Sequence, residues 1–404
     1  MNVFVIGGGA AGFFAAINCA QMHPSSTVTL IEKTNIVLRK VKISGGGRCN
    51  VTHASLNNSS LVKNYPRGEK ELRNTFSRFT TTDTVNWFES RGVKIKTEED
   101  GRMFPISNNS ETIVNCLLQE AEKSGVKIKL GIDIKEIIIN KDGTFSLHIN
   151  GGGEFNCDKL IIATGGNAQE SAYDWLKKLG HSIISPIPSL FTFNIPHNSI
   201  TELMGISVAN AKIKIPEIKL ESEGPLIITH WGLSGPAILK SSAWGARQLN
   251  KMEYNFKIEV KWIDAFSETD LRNNFDENRK RNPKKTILNN SLFNLPKRLW
   301  EYLAAKATIN STTRWSELTK HQTNEFVKVL LHDEYMVMGK TTFKEEFVTC
   351  GGIDLKEIDF TTMQSKVVKN LFFAGEVINV DGITGGFNFQ NAWSTAWVAA
   401  KNIV

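Results

Sequence analysis

The chain is poor in cysteine and shows no pairing pattern among the few it has. Cys19, Cys49, Cys116, Cys157 and Cys350 are odd in number, widely scattered, and form no CxxC or Cys/His ligand spacing. That excludes a stapled secreted scaffold, gives no basis for a metal site, and fits a reducing compartment such as the cytoplasm. Long apolar runs are also missing. Met1 to Ile31 holds no Asp, Glu, Lys or Arg, but it lacks a basic leader, and a glycine cluster and Pro24 interrupt it. Neither a signal peptide nor a membrane span is expected. There is no P-loop, HExxH, GxSxG elbow or supported carboxylate pair, no internal repeat and no low-complexity linker.

What is present is an ordinary globular composition, with 404 residues, 41% hydrophobic and 22% charged, enough for two or three domains. The net charge of +7 is unevenly placed: Leu271 to Trp300 carries eight Lys and Arg against two acids. A solvated helical face explains such a cluster, and an anionic partner or a nicotinamide phosphate is the sharper alternative.

The first 32 residues read as strand, glycine turn, helix, strand and acid. Asn2 to Ile6 is a β-rich run, Gly7-x-Gly9-x-x-Gly12 comes next, small and apolar residues run to Ala20, and Thr27 to Ile31 closes on Glu32, 20 residues beyond Gly12. In a dinucleotide-binding unit Gly7 permits the tight turn, Gly9 lets backbone approach a pyrophosphate, and Gly12 lets the helix pack on the strand. The diphosphate sits on the helix N-terminus and Glu32 accepts from ribose hydroxyls. Glycine clusters recur at Gly45 to Gly47, Gly165 to Gly166, Gly351 to Gly352 and Gly385 to Gly386. Several fall at predicted strand ends and suggest backbone lining one elongated ligand.

Further along, Glu111 to Ser124 reads as an amphipathic helix, Lys127 to Ile139 and Thr144 to Ile149 as strands around an Asp142-Gly143 turn, and Lys159 to Ile162 as a strand. Pro186 to Ile263 reads as short strands of a small barrel or sandwich, and Ser267 to His332 as helical. Strand-like residues return at Tyr335 to Val348 and Leu371 to Gly375, before a final helix from about Asn388 to Ile403.

Several long motifs then become recognisable together. GGGAAG, Ser44-Gly-Gly-Gly-Arg48-Cys49-Asn50, LIIATGG, Thr229-His230-Trp-Gly-Leu-Ser234-Gly-Pro236, Thr349-Cys-Gly-Gly352 and LFFAGEVINVDGITGGFNFQNAW from Leu371 resemble the BaiN/YhiN-type, aminoacetone-oxidase-like family of FAD-dependent oxidoreductases, over nearly the whole chain. The resemblance implies an α/β fold: a Rossmann-like FAD-binding domain of the two-dinucleotide-fold type, residues 1–187 and 345–404. A β-barrel-like insertion, residues 188–265 and 333–344, interrupts it and carries a helical subdomain, residues 266–332.

The resemblance also implies site residues. Gly7, Gly9, Ala10, Ala11 and Gly12 hold the diphosphate; Glu32 and Lys33 the adenosine ribose; Ile134, after Gly131, presents backbone to adenine; Ala163, Thr164 and Gly165 pass the adenosine half. Gly375, Glu376 and Asp381 meet the ribityl and pyrophosphate end, Glu376 standing where many such flavoproteins have Asp. Gly385, Gly386, Phe387 and Asn388 open the final helix, whose N-terminus faces the N1/O2 edge of the isoalloxazine, where reduced flavin is negative. The loop Ser44, Gly45, Gly46, Gly47, Arg48, Cys49 and Asn50 approaches the ring.

The same motifs hold three catalytic candidates: Arg48 for a substrate carboxylate or phosphate, Cys49 as a thiol near the flavin or a small buried filler, and His230 as a proton carrier or a structural residue. Cys350 could pair with Cys49 only within about 6 Å between Cα atoms. Ser234, Gly235 and Pro236 are expected to shape a loop over the flavin. The Thr349 to Gly352 stretch is similar to one in the fumarate-reductase and aspartate-oxidase group but has no His at the matching place, which counts against dicarboxylate substrates.

No second GxGxxG exists, since Gly151 to Gly153 reads as a hairpin turn. NAD(P)H, if it is the donor, is therefore dissociable and docks in the open active-site cleft. The expected reaction is hydride transfer between flavin N5 and a small organic substrate. An oxygen-using amine oxidase, an RNA-modifying flavoprotein and a non-catalytic flavin-binding regulator compete with it. Nucleic acid ranks behind a small molecule without being excluded, no membrane partner is expected, and the oligomeric state is not legible.

Overall fold

A computed structural model describes residues 1–342 and 348–403, so the expected domain boundary at 344/345 lies outside the described residues. The chain forms two compact units, Met1–Ser189 with Lys344–Val404, and Leu190–Phe343.

In the first unit a seven-stranded sheet runs in the order Ile358–Asp359, Gln364–Ser365, Leu371–Phe373, Lys159–Ile162, Asn2–Ile6, Thr27–Ile31 and Lys127–Lys129. The last five are parallel, and the first two add an antiparallel edge. Residues Val3 to Ile6 and Val28 to Ile31 are buried without a break, the pattern of a parallel sheet covered on both faces. The register brings the strand ends level. Ile6 lies opposite both Ile31 and Ile162, and Ile162 opposite Phe373, so four strands end at one edge. Gly7, Glu32, Ala163 and Ala374 leave the sheet side by side, at the carboxyl ends where open α/β sheets bind ligands. The helices Ala10–Met22 and Phe387–Lys401 meet through Phe14 and Trp393, whose ring centroids are 5.2 Å apart, with Phe79 and Trp87 around Phe14.

One run assigned from the sequence divides in the structure, and one stretch without an assignment acquires elements. The run Lys127 to Ile139 is two strands: Lys127–Lys129 joins the parallel sheet, the chain turns at Gly131, and Ile134–Ile139 pairs with Phe145–Ile149 in a separate antiparallel sheet. Residues 51–105, which carry no clear period, fold into helices Glu69–Phe76 and Thr81–Glu89 and a small sheet of Thr52–His53, Arg102–Pro105 and Ile95–Thr97.

In the second unit seven strands run in the order Asp333–Met338, Asn255–Lys261, Ser207–Ile215, Leu220–Thr229, Gly232–Ser234, Thr192–Asn194 and Lys340–Thr341. The two edge strands are consecutive in sequence and separated by Gly339 alone. There the chain crosses from one edge to the other: Gly339 N–H donates to Tyr254 O (2.9 Å) and Gly339 O accepts from Asn194 N–H (3.1 Å). Its φ of +99° is the conformation glycine tolerates, and the sheet closes into a barrel. The stretch expected to be β throughout also holds helices Pro236–Trp244 and Ala246–Lys251. Ser234 therefore ends a strand, and Gly235 and Pro236 start a helix instead of shaping a loop, because Pro at the first helical position is pre-set for the turn.

Helices Glu268–Arg281, Lys297–Lys306 and Lys320–Leu331 pack Leu271, Phe275, Trp300 and Phe326 into the same buried cluster as barrel residues Ile213, Ile258, Trp262 and Val337. Trp300 is fully buried and donates Nε1–H to Ile287 O at 2.9 Å. Among the described residues no helix is long and apolar enough to cross a membrane. Trp300→Ala should cost this unit about 3–5 kcal/mol. In hydrogen exchange its strands and helices should lose protection together, and loss confined to the helices would show two separate cores.

Candidate functional site

At the carboxyl edge of the parallel sheet each glycine of the first turn has a distinct steric reason. A Cβ on Gly7 would stand 2.3 Å from Ala163 O, and one on Gly12 would stand 1.8 Å from Gly7 O. Those two are glycine because backbone packs on backbone. Gly9 would meet nothing within 4 Å. It caps the helix Ala10–Met22, which has no acid in its first turn and no side chain on its leading N–H groups, so the dipole and donors face open space. Gly46, Gly47 and Gly165 are equally unobstructed.

Glu32 is held beside this turn. One carboxylate oxygen accepts from Gly8 N–H (2.7 Å), the other from Thr34 N–H (2.8 Å) and Thr34 Oγ1 (2.9 Å). A carboxylate has about four lone-pair sites, which leaves capacity for a ribose hydroxyl. Lys33 is exposed, with Nζ 3.9 Å from Asp133. Thr164 is exposed, and Ile134 is half-buried at the start of its antiparallel strand.

The loop Ser44 to Asn50 leaves its helix at Ser44 and turns through Gly45 and Gly46. Arg48 donates Nη1–H to Glu98 (2.7 Å) and Nε–H to Gly45 O (3.3 Å), and its guanidinium lies 4.0 Å from the centre of the Phe104 ring. Its charge therefore braces the loop. Cys49 is fully buried, and desolvation pushes its thiol up to about 12, so it carries no thiolate near neutrality. None of the five cysteines is in a disulfide, so the Cys49–Cys350 pairing is not formed.

Asn50 ties this loop to the final helix: its amide donates to Thr52 O and accepts from Gly386 N–H, both at 3.0 Å. A Cβ on Gly386 would stand 2.5 Å from Thr52 O. The helix starts at Phe387 with Gly386 as its cap. Asn388 closes the turn before it, accepting from Gly382 N–H (2.8 Å) and donating to Gly382 O (2.9 Å). Asp381 is fully buried; Arg67 Nε–H donates to one oxygen (2.6 Å), and a second Arg67 nitrogen and Ser189 Oγ (2.7 Å) to the other. Burial raises its pKa, and Arg67 and Ser189 oppose the rise. Glu376 accepts from Thr349 N–H (2.7 Å) and Lys40 Nζ (2.9 Å).

Residues from widely separated stretches of sequence thus meet in the first unit. His230 belongs to the second, exposed at the turn between Leu220–Thr229 and Gly232–Ser234, its ring centroid 3.8 Å from that of Trp231. The sequence reading missed Arg67, Lys40, Glu98 and His53, whose ring stacks on Phe387 at 4.7 Å. Only His53 had a signal, its place three residues after Asn50.

The open glycine backbone, the uncapped helix N-terminus and the acid at the second strand end fit the diphosphate and ribose of FAD. The family described as HI0933-like protein Rossmann domain matches residues 1–402. The chain belongs to the HI0933-like family. That makes it a flavin-dependent oxidoreductase with a Rossmann-like FAD-binding fold, consistent with the resemblance carried by its motifs. Among its relatives, a ribosomal RNA dihydrouridine synthase of Escherichia coli (strain K12) is 29% identical, over 100% of this chain and 98% of its own length. A protein of the same name from Haemophilus influenzae is 30% identical, over 99% and 97%. A 3-dehydro-bile acid delta(4,6)-reductase of Clostridium scindens is 25% identical, over 99% and 98%. In fold the chain is similar to a 3-ketosteroid delta1-dehydrogenase from Sterolibacterium denitrificans, with a TM-score of 0.55 at 10% identity over 99% and 98% of the two chains.

Gly9→Ala should leave the FAD-free protein within about 1 kcal/mol of wild type and weaken FAD binding at least about tenfold. Gly12→Ala should destabilise the fold itself by about 3 kcal/mol. Thermal melts with and without added FAD separate the two, and equal melts for both variants would refute the assignment. Iodoacetamide at pH 8 should leave Cys49 unmodified in the folded protein, as mass spectrometry of its peptides would show.

Proposed function

We propose that this chain reduces a carbon–carbon double bond conjugated to a carbonyl, and that the substrate is a uridine base in ribosomal RNA. The observation that carries this reading is the 29–30% identity, over 99% or more of the chain, to two proteins named ribosomal RNA dihydrouridine synthase. Dihydrouridine is uridine with two hydrogens added across a ring double bond: one carbon takes a hydride, its neighbour a proton. The name of the bile-acid relative describes reduction on a different skeleton, which favours a small conjugated substrate as the second reading.

FAD, when bound and reduced by NAD(P)H as the proposed dissociable donor, would supply the hydride from N5. The chain's own residues bind, orient and move the proton. Gly7 to Gly12 and the helix they open take the diphosphate, with Glu32 and Lys33 on the ribose, and Ile134 with Ala163 to Gly165 along the adenosine. Gly375, Glu376 and Asp381 take the ribityl end, Arg67 and Ser189 keeping the Asp381 carboxylate fixed. Gly385 to Asn388 offer a helix N-terminus to the edge of the ring that becomes negative. Within Ser44 to Asn50, Arg48 and Cys49 hold the loop's shape, and His230 is the proposed proton donor to the substrate carbon. The same reading keeps residues 1–187 and 345–404 as one discontinuous FAD domain around the inserted residues 188–344, and places the protein in the cytoplasm.

The test incubates the protein with FAD, NADPH or NADH, and ribosomal RNA lacking dihydrouridine, then digests the RNA for mass spectrometry. A nucleoside heavier than uridine by two hydrogens is expected. No such product, alongside turnover of a conjugated enone in a parallel assay, would replace RNA with a small molecule as substrate.

A further inference from the structure

The basic residues between Leu271 and Trp300 sort into two groups in the structure. Arg272 pairs with Glu268 (2.7 Å) and donates to Asn324 (2.9 Å), Arg279 reaches Leu318 O (2.8 Å), Arg281 lies 3.3 Å from Glu277, Lys297 3.7 Å from Glu301, and Arg298 donates to Glu202 O (2.9 Å). Those five are engaged within their own unit. Lys280, Lys284 and Lys285 are exposed and, among the described residues, make no ion pair.

Helix stability explains only one of the three. Lys280 is in the last turn of Glu268–Arg281, where a cation complements the helix dipole. Lys284 and Lys285 lie beyond it, past Pro283, where that effect has faded. The fold nevertheless ties down the backbone around them and adds a fourth cation from far along the chain. Thr286 bridges to Arg314, Trp315 N–H donates to Lys285 O (3.1 Å), Ser316 N–H to Pro283 O (3.1 Å), and Ile287 N–H to Thr313 O (3.0 Å). Ile287 and Trp315 are fully buried beneath this turn, while Arg314, Asn289 and Thr312 are exposed on it.

The composition of the patch selects the partner. Among the described residues no large apolar side chain between Glu268 and Leu331 is exposed, so the surface lacks the aromatic or aliphatic anchors that protein interfaces and membrane surfaces use. Unpaired cations with hydroxyl and amide groups between them are what a phosphate backbone takes. We propose that the turn carrying Lys280, Lys284, Lys285 and Arg314 is a docking surface for the phosphate backbone of RNA. It rests on the ribosomal-RNA reading and supplies the contact that a flavin site alone lacks, grip on a long polyanion independent of the reacting base.

The test uses the full FAD-loaded chain and a fluorescein-labelled ribosomal-RNA hairpin, with wild type, K280A/K284A/K285A and K280R/K284R/K285R compared by anisotropy across a salt series. The alanine variant should bind at least about tenfold more weakly, and its slope of log K against log salt should be shallower by about 2, at roughly 0.7–0.9 per lost phosphate contact. The arginine variant should keep the wild-type slope, and all three should keep the same flavin spectrum and NADPH reduction. Unchanged affinity and slope in the alanine variant, or no RNA binding by wild type, overturns the surface. If the alanine variant loses the salt-dependent binding while wild type makes no dihydrouridine, the surface stands and the substrate reading falls; dihydrouridine formed by a variant with unaltered binding does the reverse.

Discussion

The approach of backbone to backbone at the carboxyl edge of the parallel sheet is the constraint on which the site depends. Gly7 packs on the Ala163 carbonyl and Gly12 on the Gly7 carbonyl, at separations where a single methyl group would collide. These contacts bring the helix Ala10–Met22 against the first strand and point its uncapped N-terminus outward past Gly9. Because Ile6, Ile31, Ile162 and Phe373 are in register, the residues after four strands share that edge. A Cβ at Gly7 would disturb the first strand, its helix and the strand leading to Ala163 together.

A second level of organisation is polar and buried. Asp381 takes hydrogen bonds from Arg67 and Ser189, residues more than a hundred positions apart in sequence, and Asn50 joins the Ser44 to Asn50 loop to the cap of the final helix. A buried carboxylate with its partners is hard to separate from them, since removing one leaves an uncompensated charge. Such pairs specify which segments meet around the ligand. Arg48 obeys the same logic, held between Glu98 and Phe104.

The second unit solves a different problem, how to end a sheet without leaving edges. Its chain crosses from one edge strand to the other at Gly339, and helices between Glu268 and Leu331 cover the barrel with a shared core. Apolar burial there leaves no large apolar side chain between Glu268 and Leu331 exposed among the described residues. Most of the chain's excess positive charge falls in the stretch from Leu271 to Trp300.

The sequence by itself determined the βαβ opening, the glycine turn Gly7-x-Gly9-x-x-Gly12 between strand and helix, the acid that follows the second strand, the final helix behind Gly386 and the family. All of these are local: a strand, a turn and a helix within about 30 residues carry their own periodicity and steric requirements. Only the tertiary structure decided that Lys127–Lys129 and Ile134–Ile139 serve different sheets, that Gly235-Pro236 begins a helix, that Arg48 faces Glu98, that Asp381 is held by Arg67 and Ser189, and that Arg314 joins Lys284 and Lys285. Each of those depends on partners distant in sequence or on a choice of sheet edge. Residue type announces that a buried charge needs a partner, but the partner itself is chosen by how the chain packs.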